Sequence, residues 1–211
     1  MSKRVFIVEC EVGNLFSISQ ALQYWGAETV ITRDRAEIEK ADRLLLPGVG
    51  SFGDAMAEIS HNGLTDTLLS FVETGRPLLG ICVGMQLLME RGTEYGTRAG
   101  LGLFVGEVTP IPDCGHDGEP IRLPHIGWQG LTATSSWETT ILDGIDDGSA
   151  VYFAHSYRAE LAHQSATLAQ ANVGSVPISA VIQNENVAGC QFHPEKSGNV
   201  GLKIMKNFIE M

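Results

Sequence analysis

Hydrophobic and polar positions alternate along the first half of the chain in two different periods. Residues 4–9 form a nearly unbroken apolar run, which predicts a buried strand. Gly13-Asn14-Leu15 then opens a segment whose apolar positions Leu15, Ile18, Leu22 and Trp25 recur at helical spacing until Gly26 stops it. Val30-Ile31 and residues 43–46 read as the next strands, with a short charged helix over 36–40 between them and Pro47 ending the run. Helical spacing returns over 53–59 and 64–73. Gly75-Arg76-Pro77 punctuates, Leu78-Leu79-Gly80-Ile81 makes a short apolar strand, and a helix is expected over 83–90. This alternation predicts an α/β fold with an open, mostly parallel central sheet flanked by helices on both faces.

From 103 to 182 the period shortens. Stretches such as 106–111 and 150–160 are β-rich and broken by Gly, Pro and Asp, and are expected to be antiparallel β additions to one domain over 1–211. Residues 188–192 return as a strand, and 200–209 close the chain as a helix with Leu202, Met205 and Ile209 inward. No repeat or low-complexity tract is present.

Composition narrows the function more than the fold. A chain of 211 residues that is 44% hydrophobic can bury one substantial core. A formal charge of -11 leaves no basic stripe, which argues against nucleic acid or an anionic membrane surface and for a small-molecule site or a protein partner. The apolar run after Lys3 and Arg4 is too short for a signal peptide or a spanning helix, so a cytoplasmic protein is expected. Cys10, Cys82, Cys114 and Cys190 form no C-x-x-C pair, which argues against a structural zinc site and a disulfide framework. Neither a metal nor a cofactor is called for.

Two motifs carry chemistry. Gly80-Ile81-Cys82-Val83-Gly84 reads as a strand-to-helix elbow with a nucleophile at its apex. A thiol at a helix amino terminus is favoured as thiolate, and the Val83 N–H faces a developing oxyanion. In Gln191-Phe192-His193-Pro194-Glu195 the proline pushes His193 toward an extended conformation, in which residues two apart point to the same side. His193 and Glu195 then serve as base and orienter of a Cys82 triad. Pro47-Gly48-Val49-Gly50 follows a strand and offers backbone N–H groups as a second oxyanion donor. Gly48, Gly50 and Gly53 also spell G-x-G-x-x-G, with Glu73 twenty residues on. A dinucleotide site is disfavoured, because the motif follows a later strand and Glu73 falls in a helical segment.

PGVG at 47–50, GICVGMQ at 80–86 and QFHPEKSG at 191–198 together resemble the class I glutamine amidotransferases, across most of the chain. GNLxS at 13–17, PHIGW at 124–128 and HSY at 155–157, with valine between the loop glycines, are similar to the glutaminase subunits of imidazole glycerol phosphate synthases. The resemblance implies a flavodoxin-like fold and hydrolysis of L-glutamine by Cys82, His193 and Glu195, with Val83 and Gly48, Val49 and Gly50 at the oxyanion. It implies that Gln86, Glu94, His155, Ser156 and Tyr157 hold glutamine. It further implies a heterodimer with a (β/α)8-barrel cyclase, ammonia passing through a shielded channel, and Asn14, His125 and Trp128 at or near the interface.

Glu9-Cys10-Glu11, Gln129 and Arg158 depart from the usual pattern of those subunits without touching the triad. A paralogue that feeds ammonia to another acceptor, such as a sugar in surface polysaccharide synthesis, therefore stays open. A cysteine hydrolase of related fold and a catalytically silent regulatory domain are the remaining readings.

Overall fold

The computed structural model describes residues 3–9 and 14–211. Cys10, Glu11 and Gly13, named above, lie outside the described residues.

The first half alternates as its pattern requires: β1 (Arg4–Val8), α1 (Leu15–Gln23), β2 (Glu28–Thr32), α2 (Arg35–Ile38), β3 (Leu44–Leu46), α3 (Phe52–His61), α4 (Thr65–Glu73), β4 (Leu78–Ile81) and α5 (Val83–Leu87). Local chemistry sets several boundaries. Asp34 accepts from the Ala36 and Glu37 N–H groups to start α2. Ser51 accepts from Asp54 N–H at 3.1 Å and donates to the Asp54 carboxylate at 2.7 Å, so α3 begins directly after the PGVG loop. Trp25, expected on the inner face of the first helix, is 39% exposed; its indole N–H donates to the Leu202 carbonyl at 2.7 Å.

The second half contributes β5 (Met89–Gly92), β6 (Arg98–Ala99), β7 (Phe104–Pro110), β8 (His125–Gly130), β9 (Thr132–Ala133), β10 (Ala150–His155), β11 (Tyr157–Leu161), β12 (Thr167–Val173), β13 (Val176–Asn184), β14 (Val187–Cys190) and the closing α6 (Gly198–Glu210). The large sheet runs β2-β1-β3-β4-β14-β13-β12-β9. Its strands from β2 to β14 are parallel, and β13, β12 and β9 extend it antiparallel. β3 and β4 are buried throughout, as expected of central strands covered on both faces.

Two expectations change. The helix after Cys82 ends at Leu87, because 89–92 leaves it to pair in parallel with β7, so the additions outside the main sheet are not wholly antiparallel. The stretch 150–160 is two strands in different sheets: β10 pairs with β8 and β11 with β7, and the chain switches sheets at Ser156. That switch carries His155 and Tyr157 to the rim where β4 and β14 end. Among the described residues no helix is long and apolar enough to cross a membrane.

Candidate active site

The carboxyl ends of β3, β4 and β14 meet at one rim, where loops of an open α/β sheet gather around a ligand. Cys82 follows β4 with φ 55° and ψ −112°, a conformation rare for a residue with a side chain and the mark of a strained elbow. Its N–H donates to the Cys190 carbonyl at 2.8 Å, and its carbonyl accepts from Gln86 N–H at 3.2 Å. Cys82 is thus fixed to β14 on one side and to α5 on the other.

The PGVG loop packs directly on this elbow. A Cβ on Gly48 would lie 2.7 Å from the Gly84 backbone nitrogen, so glycine is required there by close backbone approach. Gly50 takes a φ of +91°, whereas Val49 stays out of the left-handed region. Gly48, the first glycine of the GxGxxG spelling, therefore serves packing against the elbow, and Glu73 ends α4 instead of a strand.

His193 lies just beyond β14, tied by its N–H to the Tyr152 carbonyl at 2.9 Å. Ser197 adds a second tie, donating to the His193 carbonyl at 2.7 Å while accepting from Tyr152 N–H at 3.0 Å. His193 is extended, but Pro194–Lys196 forms a 3-10 turn. Convergence with Glu195 comes from that turn, with proline at its first position, instead of from an extended tripeptide. His193 Nδ1–H donates to Glu195 Oε1 at 2.9 Å, and the Glu195 side chain is fully buried. Burial pushes the imidazole pKa down, yet hydrogen bonds to Cys82 and Glu195 and the charges of both raise it to about 9. A histidine held protonated beside a cysteine is suited to stabilise a thiolate and to give up a proton during turnover.

A cavity of about 360 Å³ opens at this triad. Val49, Gly50, Cys82, Val83, Gln86, Glu94, His155, Ser156, Tyr157 and His193, all expected at the site, line it together. Glu94 also accepts from the Phe52 N–H at 2.8 Å, which sets its carboxylate at the amino end of α3.

The glutamine amidotransferase class-I pattern matches residues 6–211. The chain belongs to that family. Imidazole glycerol phosphate synthase subunit HisH 1 of Legionella pneumophila (strain Lens) is 44% identical over 210 residues, covering 98% of this chain and 99% of the relative. Imidazole glycerol phosphate synthase subunit HisH of Geobacillus thermodenitrificans (strain NG80-2) is 42% identical over 203 residues, covering 96% and 93%. Among solved structures, PurLQS from Thermotoga maritima gives a TM-score of 0.76 at 20% identity, covering 100% of this chain and 99% of that one. The glutaminase domain of Trypanosoma brucei CTPS with bound acivicin gives 0.66 at 15%, covering 99% and 94%. These structures share the fold.

In this amidotransferase several residues stand apart from the cavity. Gly48 is buried behind the elbow and Glu195 behind His193. Trp128 is 54% exposed on β8, and Asn14 is half-buried before α1. His125, grouped with them by the resemblance, is buried, its ring edge-on to His155 at 5.6 Å. His155 donates from Nδ1 to the Tyr157 carbonyl at 2.7 Å, and burial drives its pKa down to about 4, with His125 and His193 pushing the same way. It is a neutral wall of the cavity, unlike His193.

Sequence reasoning missed Ala154, Lys196 and Gln191. Ala154 and Lys196 line the cavity, and the Cys82 sulfur lies 4.0 Å from the Ala154 carbonyl. Alanine carries no chemical signal, since here its backbone does the work. Lys196 and Gln191 flank the His-Pro-Glu motif, and their proximity to it was the one available clue.

Proposed function

We propose that this amidotransferase hydrolyses L-glutamine to glutamate and ammonia through Cys82, His193 and Glu195, and delivers the ammonia to a (β/α)8-barrel cyclase subunit in histidine biosynthesis. The observation that carries the reading is the buried Cys82, His193 and Glu195 array opening on a cavity lined by Gln86, Glu94 and the 155–157 strand break. The relatives named imidazole glycerol phosphate synthase subunits support the pathway and the partner.

The Cys82 thiolate attacks the side-chain amide carbon of glutamine, and the carbonyl electrons move to an oxyanion met by N–H groups of Val83 and the 48–50 loop. His193 gives its proton to the nitrogen, the C–N bond breaks, and ammonia leaves a γ-glutamyl thioester. His193 then takes a proton from water as its oxygen attacks the thioester, and glutamate departs as Cys82 is regenerated. Glu195 holds the imidazole orientation in both halves.

The cavity is lined largely by the residues assigned to the triad and to glutamine, which leaves no further group there to hold an ammonia acceptor, so the acceptor is placed on another chain. Exposed Leu123, Ile126 and Trp128 lie beside Pro124, which lines the cavity, and give an apolar strip at its mouth for the barrel subunit. Val49 resists the turn that would aim its N–H into the cavity, because a β-branched residue disfavours left-handed backbone. The chain alone accordingly hydrolyses glutamine slowly, and partner binding shifts it to the active form.

Copurification from the native cell, followed by glutamate release assays with and without the captured synthase, tests the reading. A barrel cyclase that stimulates glutamate release is expected. Capture of a sugar-modifying synthase instead, or full turnover by the chain alone, contradicts the pathway or the gating respectively.

A further inference from the structure

Gln191 lies at the end of β14 with no exposed surface, and its backbone N–H is spent on the Ala180 carbonyl at 2.9 Å. Both ends of its side-chain amide face the reaction centre. Its Oε1 accepts from Gln86 Nε2 at 3.1 Å, and its Nε2 lies within donating distance of the Cys82 sulfur at 4.0 Å. A fully buried amide is costly to desolvate unless its hydrogen bonds are made, so both contacts matter to where this side chain sits.

The second hydrogen of Gln86 Nε2 goes to the Tyr157 carbonyl at 3.2 Å. With both donors occupied, the Gln86 amide keeps only its carbonyl oxygen for the cavity it lines. That orientation depends on Gln191, because an acceptor at this position holds the Gln86 NH2 group inward. Gln86 itself stands one helical turn beyond Cys82, so the two contacts of Gln191 and the first turn of α5 close a ring around the nucleophile.

We propose that Gln191 is a positioning residue for glutamine hydrolysis: its N–H steadies the Cys82 sulfur as thiolate, and its oxygen fixes the Gln86 amide so that a carbonyl oxygen meets an N–H group of the bound substrate. The role rests on the glutaminase reading above.

The test uses the chain with its copurified partner and the variants Gln191→Met, Gln191→Glu, Gln86→Met and the Met/Met double. Methionine keeps the shape of Gln191 and removes donor and acceptor, whereas glutamate keeps the acceptor for Gln86 and removes the donor. The pH dependence of Cys82 alkylation by iodoacetamide reads the sulfur contact, and KM for glutamine reads the Gln86 contact. Both Gln191 variants should move the alkylation midpoint up by about one pH unit. Gln191→Met should raise KM about tenfold, with the double variant no worse than Gln86→Met, and Gln191→Glu should hold KM within about twofold. An unmoved alkylation midpoint in Gln191→Met, or KM effects that multiply in the double variant, overturns the proposal. If Gln191→Met does not fold, Gln191→Leu replaces it in both arms, because a glutamate charge beside the sulfur raises the alkylation midpoint by itself. A wild-type complex that releases no glutamate refutes the glutaminase reading, while the alkylation arm still judges the Cys82 contact separately.

Discussion

The backbone of Gly84 passes so close to Leu46 that a Cβ on the glycine would lie 1.9 Å from the Leu46 carbonyl oxygen. The end of β3 is thereby locked to the first turn of α5, and the 47–50 loop that follows β3 is locked to the Cys82 elbow. Neither backbone can give way without moving a central strand, so Gly84→Ala should cost about 1–3 kcal/mol of stability, the range for overpacking a dense site. Urea unfolding checks the stability loss. Glutamate release by whatever folded fraction remains should fall with it, since the elbow has to shift.

Glu195 is the second point of control. Replacing it by glutamine removes the charge that helps hold His193 at about 9, and glutamate release should drop by about 10²–10⁴-fold. Stability should respond with a definite sign. His193 has a folded pKa above its ordinary value of 6.5, so its contribution is fully present below 6.5 and is lost as pH rises through about 9. Thermal melts from pH 6 to 10 should therefore fall on the alkaline side, and fall less in Glu195→Gln.

His155 predicts the opposite limb. Burial lowers its pKa to about 4, and His125 is shifted down for the same reason. The unfolded chain binds a proton on the His155 ring more readily than the folded one, so its contribution is present above 6.5 and is lost as pH falls through about 4, and His125 acts in the same direction. Melts of His155→Phe between pH 7.5 and 4 should show a shallower acid-side decline than the parent.

Trp128 separates partner binding from folding. It stands 54% exposed on β8, touching Tyr152 edge-on at 5.9 Å. Trp128→Ala should leave the melting temperature of the chain nearly unchanged while weakening binding to the proposed barrel subunit by about 2 kcal/mol, as for an aromatic anchor. Calorimetric titration of one subunit into the other measures the second quantity directly.

The order of strands and helices was legible where burial was uniform. Leu44 to Leu46 and Leu78 to Ile81 are apolar at nearly every position because both faces of the sheet are covered. The candidate site was legible where an element changes type around a cysteine or a proline, as at Cys82 and His193. Illegible features depended on partners far along the chain. The helix after Cys82 stops early because Met89 to Gly92 finds β7, and no local pattern announces that pairing. The buried places of Gln191 and His125 follow from neighbours supplied by β4, α5 and β10. Ala154 meets the Cys82 sulfur through its carbonyl, which every residue possesses.

The central claim is that Cys82 is the nucleophile toward a glutamine side chain. Treatment with the glutamine-like electrophile 6-diazo-5-oxonorleucine, followed by peptide mass analysis, tests it most directly. The account predicts a single adduct on Cys82, forming in step with loss of glutamate release and slowed by added glutamine. Labelling of the exposed Cys114 in place of Cys82, or full glutamate release from a Cys82→Ala chain, would contradict it.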